Sequence, residues 1–535
     1  MPGQLIMRRT LTVDPLSLTT NAFMGNTLDY ITKYDTVYGG ACVGMFVIAT
    51  LYYYILRPRS TISGIVGPPL PSRIFGHTLQ LMLPLQYGDH EFQWQKTYGP
   101  VYRIKGCFGQ DRLMISDHVA MHYILNTTTF DHAPVLQHTI YLAEGEQSLN
   151  YVQGSTHKRF RAAMNVGFNA AAVRKYQPAF ENLAHELAER LEATSGSTVD
   201  ILLPLGIATL SAICDVVLGV SINDVEEEMI SNYFQLTTIA SSLSATHILA
   251  DAIGASLPSW VLVAASYLPT NAFTVLRKTR FLAKQLGSRI IRDKMDAARK
   301  GLDIDNDIYG SLLTAGQLDA RKSAMSEDEI AGQTAVFLLA GHETTTNAVS
   351  FALLELSRNP AIQEQLRAEI NETLGAVAYD NMPLLNAVIK ETLRLYPTIP
   401  ISERIALSDA IIPLNGPVTS SEGKQITAIH VRKGQLVTVA TASYHRLASR
   451  WGNDSDEFRP SRWIDGTVRD GDIIGPYANL GVFSGGPSYL SRVAFLDSGD
   501  TADSDNVVRA KYAASLMPTL SSGERGLMLR VNKIA

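Results

Sequence analysis

Cysteine is nearly missing: the 535 residues hold three, Cys42, Cys107 and Cys214, and none follows position 214. Three thiols cannot build a disulfide framework, so a disulfide-stapled extracellular scaffold is excluded and a reducing compartment is the natural setting for the bulk of the chain. Excess positive charge is missing too. A formal net charge of −5 leaves no basic footprint for phosphate backbones, so no nucleic-acid partner is expected. Repeats of fixed period and linkers that split the main body are absent, and with 46% hydrophobic and 18% charged residues the composition carries no mark of disorder. At this length the chain is several domains or one unusually large one with a deep core.

What is present begins with an uncharged run. "YGGACVGMFVIATLYYYIL" at 38–56 has no charged residue over about 19 positions, the length a helix needs to cross a hydrocarbon core. It reads as a retained transmembrane anchor; the rival, a cleaved signal peptide, calls for a shorter apolar stretch nearer the start and a small-residue cleavage site. Asp29, Lys33 and Asp35 lie before it and Arg57, Arg59 and Arg73 after it, so the positive-inside rule leaves the large C-terminal part in the cytosol. The organisation expected is a short lumenal segment at 1–37, the anchor at 38–56, a basic and proline-rich spacer at 57–72 containing "GPPLPS", and one globular body at 73–535. Sequons at Asn126, Asn371 and Asn453 then never meet the lumen and stay unglycosylated.

"YGPVYRIKGCFGQDRLMISD" at Tyr98 to Asp117 reads as a β-hairpin around a Gly-rich turn. From about Ala120 to Asn371 the pattern is helical, and short strands return after Pro397, so the fold expected is mainly α with small β-sheets. One helix is distinctive. It starts at "SEDEI", where Ser326 and Glu329 make a capping box, runs apolar, and stops at Asn359-Pro360. A helix apolar all round is buried, yet this one carries Gly341, His342, Glu343, Thr344, Thr345 and Thr346 in its middle. Threonine hydroxyls bonding back to the preceding turn bend a helix and open a groove, where a buried carboxylate beside a hydroxyl serves proton delivery. Two helices meeting at Gly341, with Thr344 or Thr345 as N-cap, is the other reading. In "LLNAVIKETLRLYP", Glu391 and Arg394 are neighbours on an apolar stripe, so the pair is buried and needs further partners; Arg462 of "EFRPSRW" is one.

Taken together, "AGHETT" from Ala340, "ETLR" from Glu391, "FRPSRW" from Phe458 and "FSGG" from Phe483 resemble the motifs of a membrane-bound, fungal-type cytochrome P450, in that family's order and spacing over roughly residues 60 to 490. The resemblance implies a haem monooxygenase in the endoplasmic reticulum membrane, inserting oxygen into an apolar small molecule such as a secondary metabolite, terpenoid, steroid or xenobiotic with electrons from NADPH-cytochrome P450 reductase. It places Glu343 and Thr344 at the oxygen-activating bend, and joins Glu391, Arg394 and Arg462 in a triad that stiffens the haem-side core. It makes Arg161 of "HKRFR" and Arg404 of "ISERIAL" partners of the haem propionates, with His157 where the family has tryptophan. Without the resemblance, "HKRFR" reads as a solvated helix face.

The family's ligand loop runs Phe, two residues, Gly, one residue, Arg, one residue, Cys, one residue, Gly. Phe483 and Gly486 match, but Ser488, Leu490 and Arg492 stand at the Arg, Cys and last Gly positions, and leucine cannot ligate iron. The polar "LDSGDTADSDN" replaces the apolar helix expected next, so 487–517 is atypical, before "PTLSSGERGLMLRVNKI" resembles the family's closing strands. Normal flanks around an abnormal middle are the pattern of a mis-joined transcript; a genuinely inactive, non-catalytic binding protein and an unfamiliar iron ligand are the other readings. Oxygen cleavage in the family depends on electron density from a thiolate, so monooxygenation by this chain as written is expected to fail.

Two further stretches have open readings. "ILADAIGASLPSWVLVAASYLP" from Ile248 is either a membrane-dipping segment or a buried helix pair, and the basic helix from Arg277 is a solvated face or a dock for an acidic redox partner.

Overall fold

The computed structural model describes residues 60–318, 325–373, 379–468, 477–483, 509–512, 515–520 and 525–531. The anchor expected at 38–56 lies outside the described residues, as do Gly486 and Leu490. Among the described residues no helix is long and apolar enough to cross a membrane.

The principal sheet has five strands in the spatial order β1 (Val101–Lys105), β2 (Asp111–Ile115), β8 (Leu436–Ala440), β5 (Ile401–Ala406) and β3 (Phe130–His132). β1 and β2 form the expected hairpin, with Val101 opposite Ile115 and with Phe108 and Gly109 of the connecting turn both at positive φ. Every residue of β8 is buried, as its β-branched "LVTVA" suits a central strand. Two-stranded ribbons complete the β structure: β6 (Ala410–Thr419) with β7 (Gln425–Val431), β9 (Arg509–Tyr512) with β10 (Leu516–Thr519), and β11 (Met528–Arg530) with β4 (Thr198–Asp200).

Helices make up most of the rest. The largest apolar cluster is shared by α1 (Gly154–Phe168), α2 (Leu202–Ile213), α3 (Glu227–Ser241), α6 (Asn271–Arg299) and α8 (Thr334–Arg358), through residues such as Phe160, Leu210, Tyr233, Leu286 and Phe337. Between α3 and α6, α4 (Ala245–Ser256) and α5 (Ser259–Ala265) bury little: Trp260 is 72% exposed and Tyr267, just beyond, 74%. The buried helix pair is therefore not what forms there. α6 buries Val275, Ala283, Leu286, Ile290 and Ile291 and leaves its basic residues partly or fully exposed.

The long helix departs from both readings of it. The capping box forms on α7 (Glu327–Ala331), where the Glu329 amide donates to Ser326 Oγ at 3.3 Å and the Ser326 amide donates to Glu329 Oε2 at 2.9 Å. The interruption then falls at Gly332–Gln333, because Gln333 is tied sideways: its Oε1 accepts from the Leu149 amide at 2.9 Å and its Nε2 donates to the Gln147 carbonyl. α8 is unbroken from Thr334 to Arg358, straight through the Gly341–Thr346 cluster. Gly341 is there for proximity. A Cβ at this position would lie 2.5 Å from Ile213 Cδ1, so the missing side chain is what lets α2 and α8 pack together. Across the same contact Thr209 Oγ1 and Thr346 Oγ1 are 2.6 Å apart.

Candidate functional site

A cavity of about 1020 Å³ opens against one face of α8. Ala340, Gly341, Thr344 and Thr345 form that wall, and Phe168, Val216, Phe337 and others supply an apolar lining. Thr344 Oγ1 donates to the Ala340 carbonyl at 2.6 Å, the backward bond that its position in the helix invites. Glu343 is not among the lining residues. It forms an ion pair with Arg525, Oε1 to Nη1 at 3.3 Å, with the Glu343 side chain 12% exposed. Burial pushes the Glu343 carboxyl above its usual range and the Arg525 guanidinium pulls it partly back. His342 faces a third way, with Nδ1 2.9 Å from Tyr233 Oη on α3, and burial, seconded by Arg525, lowers its pKa to about 4.

Elsewhere the cavity wall is charged, with Arg404, Lys158 and Asp131 among its lining residues. Arg404 on β5 lies directly across the ladder from His132 on β3, and Arg404 Nη1 is 2.9 Å from His132 Nδ1. An arginine only donates, so Nδ1 of this imidazole accepts and its proton sits on Nε2. Burial, helped by Arg404, drives the His132 pKa down to about 3, and burial lowers Arg404 to about 10. His157 and Lys158 of α1 also line the cavity; burial first and Arg161 second depress the His157 pKa. Arg161 itself is one turn further along α1 and does not line the cavity. Arg159, between them, pairs with Glu329 at 2.5 Å, tying α1 to α7. "HKRFR" is thus a structural face and a cavity face at once, where periodicity alone pointed to solvent.

Beneath the sheet end, α9 (Pro383–Leu395) carries Glu391 and Arg394, both fully buried. Glu391 accepts from Arg394 Nε and Nη2 at 2.9 Å each, from Arg462 Nε at 2.8 Å, from Trp463 Nε1 at 2.9 Å and from the Arg459 amide at 2.9 Å. A second carboxylate balances the second guanidinium, since Arg462 Nη1 reaches Asp454 Oδ1 at 3.3 Å. Carbonyls complete the shell: Arg394 Nη1 donates to the His445 and Ser455 carbonyls at 2.7 and 2.6 Å, and Arg462 Nη1 to the Trp451 carbonyl at 2.7 Å. Neither arginine nor Glu391 lines the cavity.

These features coincide with what the comparisons find. The sequence model of the Cytochrome P450 family matches residues 66–488. The chain belongs to the cytochrome P450 family. That family comprises haem monooxygenases, so the chain is an enzyme of haem-monooxygenase type. Cytochrome P450 monooxygenase claQ of Ampulloclitocybe clavipes is 27% identical over 468 residues, covering 81% of this chain and 82% of the relative. Cytochrome P450 monooxygenase 205 of Postia placenta is 27% identical, over 84% of this chain and 86% of its own. Ganoderic acid synthetase CYP5150L8 of Ganoderma lucidum is 26% identical, over 83% and 87%. Among solved structures, retinoic acid bound cyanobacterial CYP120A1 shares the fold, with a TM-score of 0.58 at 22% identity over 80% of this chain and 88% of that one.

Haem is the cofactor of this family, and the residues present fit it in part. The cavity's size, its apolar walls and the Arg404–His132 end suit a porphyrin and its carboxylates. The donor set does not suit the iron of a thiolate enzyme. Cys107 and Cys214 are buried and neither lines the cavity, and burial pushes the Cys214 thiol up to about 12; Cys42 lies outside the described residues. Phe483 ends a short helical turn, Gly481–Phe483, whose Val482 reaches the cavity wall. Among the described residues no group of three or more His, Cys, Asp or Glu is placed to hold a metal ion. The sequence had pointed to Arg404, to Thr344 and Thr345 and to the "HKRFR" segment that holds Lys158, but not to His132 or Arg525, neither of which stands out without its spatial neighbours.

Proposed function

We propose that this fold is that of a membrane-anchored monooxygenase hydroxylating an apolar small molecule with electrons from NADPH-cytochrome P450 reductase, and that the chain as written lacks the cysteinate such chemistry needs. The observation that carries the first half is the cavity wall of α8, where Thr344 and Thr345 sit among apolar side chains with Glu343 one residue away. In this reading the apolar walls select the substrate, Thr344 offers a hydroxyl at the wall, and Glu343, with its raised pKa, stores a proton behind it. The Glu391, Arg394 and Arg462 cluster stiffens the body on the haem side, and Arg404 would answer the propionates from the cavity wall, with Arg161 set back from it. A secondary metabolite or terpenoid-like substrate fits both the apolar lining and relatives such as the ganoderic acid synthetase.

An endoplasmic reticulum location with the body in the cytosol is part of the same proposal. Trp260, Val263, Tyr267, Leu268 and Phe281 form an exposed apolar face around α5, beside Arg277 and Arg280, which suits contact with an anionic bilayer surface. A second reading, a non-catalytic ligand-binding protein, is favoured by one observation: neither Cys107 nor Cys214 reaches the cavity and Leu490 stands in the cysteine position. Sequencing the transcript across codons 480 to 510 separates the two. A transcript restoring a cysteine after "FSGG" supports the monooxygenase, and its product, reduced under carbon monoxide, should show the red-shifted Soret band of a thiolate-bound iron; if every transcript matches the chain as written, the binding protein is what the locus makes.

A further inference from the structure

A second cavity, of about 540 Å³, opens on the exposed apolar face around α5 and shares no lining residue with the cavity on α8. Its walls come from the helix Pro134–Ala143, from Val263, Ser266 and Tyr267 at the end of α5, and from α6. The volume falls within the span of small-molecule sites, about 300 to 1,000 Å³. Three cations line it, Arg277, Arg280 and Lys284, and no aspartate or glutamate does. Lys284 is committed elsewhere: its Nζ lies 2.9 Å from Asp328 Oδ1 and donates to Gln147 Oε1 at 3.3 Å.

The two arginines are held in place by neutral groups, and among the described residues no carboxylate pairs with either. The Arg280 guanidinium lies over the Tyr141 ring, 4.9 Å from its centroid. Gly145 makes room for it, since a Cβ there would come within 2.9 Å of Arg280 Nε. Arg277 Nη1 donates to the carbonyl of the buried Ser266. Being three residues apart on α6, Arg277 and Arg280 stand on one face, so two positioned guanidinium ions meet at one recess with no acid to neutralise them. A planar carboxylate matches such a pair. The remaining lining is apolar and open, for Val263, Tyr267 and Phe281 are all exposed. A half-buried cationic wall and an apolar mouth call for a ligand with an anionic head and an apolar body. Walls on three elements enclose one such molecule.

We propose that this recess is a second ligand site, separate from the cavity on α8, for a single-chain amphiphilic carboxylate of the fatty-acid class. Arg277 and Arg280 hold the head, and the chain lies over Phe281 and Tyr267. The site needs neither an iron ligand nor a bilayer, because every group it uses belongs to the helix Pro134–Ala143, the end of α5 and α6. A bound chain bridges these three elements.

The purified full chain is photolabelled with hexadecanoic acid carrying a diazirine at mid-chain, and with the corresponding alcohol, and the labelled peptides are mapped by mass spectrometry. The acid should label residues 134–145 and 260–288, and unlabelled hexadecanoate should compete. The alcohol should label the same peptides with a dissociation constant at least about tenfold higher, because only the charge of the head is gone. Arg277→Gln with Arg280→Gln should weaken labelling by the acid about tenfold or more and leave the alcohol unchanged, and Arg280→Lys should cost less than Arg280→Gln, since the charge stays while the planar fork is lost. The comparison of acid with alcohol needs no variant, so misfolding cannot imitate it. Equal labelling by the two overturns the carboxylate head. Labelling confined to peptides that line the cavity on α8 overturns the second site. Protection by phosphatidylserine vesicles without competition from monomeric hexadecanoate overturns it as well, and leaves the face to the bilayer surface.

Discussion

Arg525, from the strand-rich C-terminal segment, holds Glu343 of α8 in an ion pair of 3.3 Å and also reaches Asn347 Oδ1, one turn further along the same helix, at 3.5 Å. The carboxylate beside the cavity's threonine pair is thus positioned by a residue from the far end of the chain.

Removing that cation should be felt by Glu343 first. In Arg525→Gln the Glu343 pKa rises above its value in the parent, read by infrared titration of the buried carboxyl, since burial then acts unopposed. A double-mutant cycle with Glu343→Gln should return a coupling energy of about 0.5 to 3 kcal/mol. A coupling of zero would mean the two side chains do not meet.

Glu391→Gln should cost about 3 to 5 kcal/mol in urea unfolding, because it leaves the buried Arg394 without a carboxylate and Arg462 with Asp454 alone. Breaking the exposed Lys424–Glu422 pair, whose side chains are 76% and 69% exposed, by Lys424→Ala should change stability by about 1 kcal/mol or less.

Gly341→Ala places a methyl against Ile213 Cδ1, and should destabilise by about 1 to 3 kcal/mol. The obstacle is the end of a flexible side chain, so Ile213→Val in the same chain should recover most of the loss. No recovery would put the cause in the helix backbone.

Glu91 gives a pH signature. It is 1% exposed, its Oε1 has no hydrogen-bond partner, and burial raises its pKa from 4.5 to about 7. Between pH 4.5 and about 7 the folded chain keeps a proton that the unfolded chain releases, so this group's contribution to stability falls as pH rises through that window. Glu91→Gln cannot ionise, and its stability relative to the parent should grow from pH 4.5 to 7 and level off above, by on the order of 3 kcal/mol. His445 works in the opposite sense. Its pKa, lowered to about 3 by burial first and by Arg394, favours the folded chain above the unfolded value of 6.5 and loses that contribution as pH falls toward 3.

Trp260→Ser with Tyr267→Ser should lower partitioning of residues 60–535 into anionic vesicles, measured by co-sedimentation, and leave thermal stability unchanged, because both side chains are largely exposed. Unaltered partitioning would take this face away from the bilayer.

Local patterns announced local structure. The β1–β2 hairpin was readable because two alternating runs flank a turn, and the capping box because Ser326 and Glu329 answer each other across three positions. Glu391 and Arg394 meet on any helix, being three residues apart. What could not be read is whatever depends on a distant partner. Gly341 looked like a helix breaker until Ile213 was seen against it, and His132 and Arg525 looked ordinary until Arg404 and Glu343 appeared beside them. The helix interruption at Gly332–Gln333 was hidden for the same reason, since its cause is the loop at Gln147 and Leu149.

The pleat of β5 has a genetic corollary. Alternate residues of a strand look to opposite sides, so losing or gaining a single codon between Ile401 and Arg404 would swing the arginine out of its cavity while keeping every amino acid type. A careless splice three nucleotides wide is therefore more damaging here than an outright replacement of Arg404, because it would also turn the buried Ala406, two residues further along, the wrong way round.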